Sequence, residues 1–466
     1  MTALTAEFAA FAAGIRHEAL PAEVQRRTRL LLLDLLGNIL RARHAAESTP
    51  ALVSAARALG VAAGSASVFG DAARYTPAGA ALLNGALAHS LDFDDTHAAS
   101  SLHPGAPVIP AALAAAEMTG ADGPTTLAAI VAGYEVTNRL GLALPAGEHY
   151  ARGFHPTATC GAFGAAAAAA RVFGLDAAGV ANALGVALSQ SSGSLQFLSN
   201  GAWTKRFQVG WAAMAGLVAA TLAREGFRGA AEALEGKAGF LRAYAPSPDP
   251  ARALRRLGTD WELMATAVKP YPSCRYGHAG VDAALALQAE LGLRAEEVEA
   301  VTLGLPKAGM ILIGDDIERR RNPRNVVDGQ FSGPFVIACA LARGAFGWDS
   351  YAWLDAPDIR HVMARVSCEP DPEVEAEFPA NMSGKLTLRA RGQVFTRKVV
   401  VPKGEPANFL TEDEIAAKYH GLADAVLGAD RAARLRDAAL TLHEAPNVLG
   451  LMRLGAPGMA ARLAGE

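Results

Sequence analysis

From His103 to about Gly236 the chain is one apolar helical stretch after another, built mostly of alanine, glycine and leucine. No other feature narrows the fold so far. Small side chains let helix axes approach closely, so the pattern predicts a tightly packed all-helical domain. The tract GAFGAAAAAARVFG (161–174) resembles low complexity, but its alanine run is a strong helix former. No fixed-period repeat supports a solenoid. Phe207 to Ala223 is strongly apolar yet falls short of a membrane span, and reads as a buried helix. Upstream, residues 5–42 read as two helices, the second starting at Pro21 with Leu33, Leu36 and Leu40 on one face. Ser67 to Gly70 is a short strand-like piece.

After Trp261 the composition changes. Glu299–Pro306 alternates like a strand, and Lys385–Pro402 (KLTLRARGQVFTRKVVVP) reads as two strands around an Arg-Gly-Gln turn. Between them lie an apolar helix over roughly Phe331–Arg343 and a second helix starting near Pro357. Thr411 and Glu414 then form a capping box, and helices resume to the end. A chain of 466 residues exceeds the size at which one core keeps growing. The expected division is a helical domain, 1–268 plus 404–466, and a smaller α+β domain, 269–403.

Hydrophobic residues make up 51% of the chain and charged residues only 19%, which predicts surface buried between subunits. A net charge of −3 gives no support for a nucleic-acid partner. Cys160, Cys274, Cys339 and Cys368 are far apart and suggest neither a zinc site nor a disulfide framework. The amino terminus lacks the basic start of a signal peptide, so a soluble cytoplasmic protein without a membrane partner is expected. GxGxxG opening a helix, GxxxxGK[ST], HExxH and GxSxG are absent, which leaves nucleotide, flavin and zinc-protease chemistry without support.

The chemistry concentrates in Ala80 to Pro110. Thr76 and Pro77 open a helix on which Ala80, Leu83, Leu87 and Leu91 recur at helical spacing. Asp92, Asp94, Asp95, Thr96, His97 and His103 follow at its carboxyl end. Carboxylates there oppose the helix dipole, which favours function over chance. Asp-Asp-Thr could instead cap the next helix, and Asp with His also suits a divalent cation, but no strict ligand spacing is present. Four further places stand out: His155 in GFHPTATCG, Lys205 in AWTKRFQVGWAA, the segment KPYPSCRYGH (269–278), and RRRNPRNVVDGQFSGPF (319–335). His155 could be a turn residue and Lys205 a solvated helix start, although a cation there opposes the dipole and so calls for an anionic partner. KPYPSCRYGH falls at the expected domain boundary, where clefts often bind ligands. The arginines of the fourth place could merely solvate a loop.

Taken together, NGALAHSLDFDDTH, SSLHPGAPVIPAALAAAE, FHPTATCGAFGAAAAAARVFGL, TKRFQVGWAA, KPYPSCRYGHAGVDA and DGQFSGPF resemble the MmgE/PrpD family, in the family's order and over nearly the whole chain. That family contains 2-methylcitrate dehydratase, cis-aconitate decarboxylase and iminodisuccinate epimerase. The resemblance implies a mainly α fold: a large all-helical domain formed by the N- and C-terminal segments, with a smaller inserted α+β lid domain. It implies a homodimer, a small anionic di- or tricarboxylate substrate, and no metal or organic cofactor. The decarboxylase's site pattern falls on Asp92, Thr96, His103, His155, Lys205, Lys269 and His278. Where that enzyme has a further site histidine this chain has Cys274, which counts against decarboxylation of cis-aconitate. Gln208 stands where many family members carry histidine.

These reactions all develop carbanion character beside a carboxylate, so the site must stabilise negative charge. Lys205, Lys269, Cys274, Arg275 and His278 are expected to bind substrate, the cations by charge-assisted hydrogen bonds. His103 is the expected principal acid/base, oriented by Asp92 and positioned by Thr96, with His155 or Lys269 serving the opposite face. The expected activity is a dehydratase-like lyase. The alternatives are epimerisation of an amino- or imino-dicarboxylate and a non-catalytic carboxylate-binding protein.

Overall fold

The computed structural model describes residues 3–457. Its internal contacts define two units, one drawn from residues 3–267 and 411–457, the other being Val268–Leu410. The architecture is mainly α, and the one sheet of more than two strands among the described residues belongs to the second unit.

In the first unit, helix α1 (Ala22–Ala45) is buried on every side from Leu30 to Leu40. Two polar residues, Asp34 and Asn38, are enclosed with the leucines, so each needs a partner inside the protein. Strands β1 (Ala66–Ser67) and β2 (Arg74–Tyr75) pair over two residues; the strand-like reading of 67–70 therefore holds only at Ser67. Helix α2 (Pro77–Ala88) starts as its sequence dictates, with Thr76 Oγ1 accepting from Gly79 N at 3.1 Å and proline in the first turn. It stops at Ala88, three residues before the apolar periodicity ends, and His89 leaves helical geometry.

Strand β3 (Thr96–His97) pairs antiparallel with β4 (Thr266–Ala267). Between them run α3 (Gly105–Thr119), α4 (Gly123–Ala143), α5 (Pro156–Val172) and α6 (Thr204–Arg224). α5 packs against α3, α4 and α6, and α6 also crosses α2. That last crossing is close because glycines meet there: a Cβ on Gly85 would lie 3.0 Å from Gly210 Cα, and one on Gly210 2.8 Å from Ala86 N. Larger side chains would push the helices apart. The close crossing sets the first turn of α6, which carries Lys205, beside the loop that follows α2.

In the second unit, α7 (His278–Leu291) and α8 (Gly333–Arg343) cover a four-stranded sheet of β5 (Val298–Leu305), β6 (Val366–Pro370), β7 (Gly384–Ala390) and β8 (Gln393–Val399). The strand order is β6-β5-β7-β8, with β5 and β6 parallel and the other pairs antiparallel. Leu386, Leu388 and Ala390 point inward while Lys385 and Arg389 do not, the period-two pattern of a half-buried strand. The hairpin turns on Arg391 and Gly392, both at positive φ, which is the backbone a two-residue turn demands. Strand β6 escapes a sequence reading, because VSCEP is only five residues long and ends in proline, and its burial does not follow its brief apolar-polar alternation.

The chain then supplies α9 (Glu412–Leu427) to the first unit, opened by the Thr411/Glu414 capping box and packed on α1. Among the described residues no helix is long and apolar enough to cross a membrane.

Candidate active site

The loop between α2 and α3 carries Asp92, Thr96 and His103, and contacts at Asp92, Phe93, Asp94 and Asp95 fix it. Asp92 adopts φ 53°, a left-handed conformation that costs a non-glycine residue energy and is found where tertiary structure enforces it. Its Oδ1 accepts from Lys205 Nζ at 2.7 Å, so the cation in the first turn of α6 has the anionic partner its position calls for. Next, the Phe93 carbonyl accepts from Lys418 Nζ at 2.8 Å and from Asn38 Nδ2 at 3.3 Å. Lys418 lies on α9 and also pairs with Asp34 Oδ1 at 2.6 Å, both side chains being almost fully buried. Its ammonium sits 3.8 Å from the centroid of the Phe93 ring.

Asp94 follows, fully buried, with Oδ2 2.7 Å from His89 Nδ1 and 3.6 Å from His103 Nδ1. Asp95 accepts from Tyr134 Oη at 2.6 Å and from Gly105 N at 3.1 Å. Burial pushes its carboxyl up to about 8, against the help of those donors, and the neighbouring Asp94 charge pushes the same way. Burial thus favours the protonated form of Asp95. Burial likewise raises Asp34, opposed by Lys418.

His103 is held by its Nδ1, 2.7 Å from the Asp95 carbonyl and 3.4 Å from Thr96 Oγ1, while its backbone N donates to Thr157 Oγ1 at 3.2 Å. A carbonyl only accepts, so Nδ1 carries the proton and the basic lone pair lies on Nε2. The expected orienting residue, Asp92, has its Oδ1 on Lys205; the carboxylate within ion-pair reach of His103 Nδ1 is that of Asp94. His155, read as a loop residue, is the residue before the first turn of α5 and is only 4% exposed. Its Nδ1 has no hydrogen-bond partner among the described residues. Burial first, then His89 and Lys205, hold it well below the usual imidazole range, so it is neutral. The rings of His103 and His155 lie 4.8 Å and 5.8 Å from that of His89.

Four candidates lie in the second unit. Lys269, Cys274 and His278 are buried. His278 Nε2 faces the Ser273 carbonyl at 3.2 Å, and its ring meets Tyr271 edge to face at 5.4 Å. Arg275, expected to bind substrate, places Nε 2.7 Å from Glu405 Oε1 and Nη2 on Glu405 Oε2. That two-pronged pair occupies the fork of the guanidinium, the face with which Arg275 would meet a substrate carboxylate. A hollow of about 530 Å³ in this unit, lined by Glu318, Arg319, Asn322, Arg324 and Asp328, contains none of the candidates.

The sequence reading did not single out His89, Tyr134 or Lys418. A signal existed for His89: it follows a helix buried all round, where a polar residue must be partnered. His89, Asp94 and His103 each offer a donor atom within 4.8 Å of the others, a spacing a metal ion could use. Nδ1 of His103 holds a proton against the Asp95 carbonyl, so the lone pair this ring can offer, to a metal or to a substrate proton, is that of Nε2. The arrangement fits proton transfer on an anionic substrate.

Two family models match the chain, the MmgE/PrpD N-terminal domain over residues 6–253 and the MmgE/PrpD C-terminal domain over residues 271–444. Among curated proteins, the cis-aconitate decarboxylase-like protein oryM of Aspergillus oryzae is 28% identical, the alignment covering 97% of each chain. Cis-aconitate decarboxylase of Aspergillus terreus is 27% identical over 97% of this chain and 95% of its own. The human cis-aconitate decarboxylase is 26% identical over 92% and 90%. With both family models matched in order and together spanning most of its length, the chain belongs to the MmgE/PrpD family.

Proposed function

We propose that this protein is a cofactor-independent lyase of the 2-methylcitrate dehydratase type, which removes a proton alpha to a carboxylate of a di- or tricarboxylate and eliminates water. The observation that carries the reading is the tautomer of His103: Nδ1 is tied to the Asp95 carbonyl, which leaves Nε2 as a general base. His103 Nε2 takes the α-proton, the freed electron pair forms the C=C bond, and the β C–O bond breaks. The departing hydroxyl takes a proton from the Lys205 ammonium and leaves as water. Lys205, held by Asp92, also neutralises charge on the substrate. Neutral His155 serves as a proton acceptor or hydrogen-bond donor. Lys269 and His278 keep the proton-transfer and binding assignments that the family resemblance gives them, and Cys274, which departs from the decarboxylase's pattern, keeps its expected place among the binding residues.

A second reading, decarboxylation of a tricarboxylate, is favoured by the names of the relatives. Cys274, standing where the decarboxylase has a site histidine, weighs against it. A homodimer is proposed as the working form; Leu198, Trp203 and Phe207, 70%, 45% and 44% exposed around the start of α6, supply apolar surface for a second copy.

The test is a panel of methylcitrate, citrate, aconitate and iminodisuccinate followed by ultraviolet absorbance and by NMR in heavy water. Elimination gives an absorbing alkene, and decarboxylation gives carbon dioxide with deuterium in the product. Epimerisation washes deuterium into recovered substrate, and a pure binder does none of these. His103→Ala is expected to lower turnover by about 100-fold or more; near-normal turnover removes His103 from the role of base.

A further inference from the structure

We infer that His89, acting through Asp94, is a positioning residue for proton transfer at His103. This rests on the reading of His103 as the proton carrier. His89 is 1% exposed and lies just past the end of α2. Its Nδ1 is 2.7 Å from Asp94 Oδ2, and the same oxygen lies 3.6 Å from His103 Nδ1. The two rings meet edge to face at 4.8 Å. One carboxylate oxygen thus serves two imidazoles, a short bond to one and a longer approach to the other.

The chemistry follows from that inequality. When His103 Nε2 accepts the α-proton, the ring becomes an imidazolium whose Nδ1–H already donates to the Asp95 carbonyl. A counter-charge close to Nδ1 lowers the energy of that state, and Asp94 supplies it. Asp94 must then be ionised and must not swing fully onto His103, which would pull Nδ1 from the Asp95 carbonyl and turn Nε2 away from the substrate. A buried carboxylate stays charged only when donors satisfy it. His89 Nδ1–H gives Asp94 such a donor and fixes its rotamer. The surrounding titratable groups are Asp34, Asp95, whose neutral form burial favours, the ammonium of Lys418 on α9, the Asp92–Lys205 pair, and the neutral His155 just before α5. Substitution at His89 leaves these side chains in place but removes one of the neighbours that hold His155 low.

The test compares His89→Leu with His89→Asn. The asparagine amide reaches roughly where Nδ1 lies and keeps the donor to Asp94, whereas leucine fills space and donates nothing. For His89→Leu, kcat is expected to fall about 100-fold with little change in KM, and the acidic limb of the kcat–pH profile to move. His89→Asn is expected to recover kcat to within about 10-fold of the parent. Adding Asp94→Asn to His89→Leu should cost little more, because residues acting as a unit are not additive.

Parent-like kcat in His89→Leu overturns the inference. So does equal damage in both variants, whether melting temperature is kept, meaning that the ring itself moves the proton, or lost, meaning that it only fills space. If His89→Leu does not fold, Asp94→Asn in the parent background decides the matter, with parent-like kcat again overturning it. The parent and His103→Ala are run beside them. If the parent turns over and His103→Ala does not, a null result at His89 sinks this inference alone; if His103→Ala is as active as the parent, the functional reading fails and takes this inference with it.

Discussion

Lys418 Nζ lies 2.6 Å from Asp34 Oδ1, an ion pair sealed between two helices whose sequences lie almost 400 residues apart. The same ammonium holds the Phe93 carbonyl, between Asp92 and Asp94 of the candidate site. Breaking a buried pair on one side leaves a charge with no partner, so Lys418→Met should cost about 3–5 kcal/mol of stability in urea unfolding. The double variant Asp34→Leu/Lys418→Met removes both charges and should recover most of that loss. Turnover of the double variant should stay low, because the loop has lost its main backbone anchor. Full recovery of turnover would make the pair a matter of stability alone.

Lys205 is partly exposed, so its worth is better read in catalysis than in folding. A charge-assisted hydrogen bond to a substrate carboxylate is worth about 1.5–3 kcal/mol and a positioned general acid about 100-fold or more in rate, so Lys205→Met should lower kcat/KM by roughly 100-fold or more. Steady-state kinetics on the substrate found in the panel checks this. An unchanged kcat/KM would assign Lys205 to holding Asp92 and nothing more.

Asp95 gives a pH dependence whose sign is fixed. Its carboxyl ionises near 4 in the unfolded chain and at about 8 in the folded one. Between those values the folded state binds the extra proton, so this group's contribution to stability is complete below about 4 and is lost as pH rises towards 8. Asp95→Asn keeps a neutral, hydrogen-bonding side chain and should flatten that part of the stability–pH curve. Urea midpoints measured across the range in both proteins test it; parallel curves would show that Asp95 is ionised throughout.

Chelation addresses the His89, Asp94 and His103 trio directly. If His103 Nε2 works as a base and not as a metal ligand, dialysis against EDTA should leave turnover unchanged. Loss of turnover restored by a divalent cation would move these three residues from proton transfer to metal binding.

The candidate site was legible in part. Asp92, Thr96 and His103 share one loop, and the oddity of carboxylates at a helix's carboxyl end could be read directly from the order of residues. Which carboxylate faces His103 could not, because Asp92, Asp94 and Asp95 differ only in backbone direction, and Asp92 turns at positive φ. Arg275 shows the same limit: nothing near it in sequence announces Glu405, 130 residues on.

By itself the sequence determined the helical character of the first unit, the caps at Thr76 and Thr411, the β7–β8 hairpin and the family, since each depends on residues close together or on a pattern of residue types. Only the tertiary structure decided that β6 is a strand, that Lys418 reaches the Phe93 carbonyl, and that His89 shares Asp94 with His103. The first two join segments far apart in sequence and the third depends on how one loop turns back on itself; all three follow from burial, a property of the packed chain that no short window of residues contains.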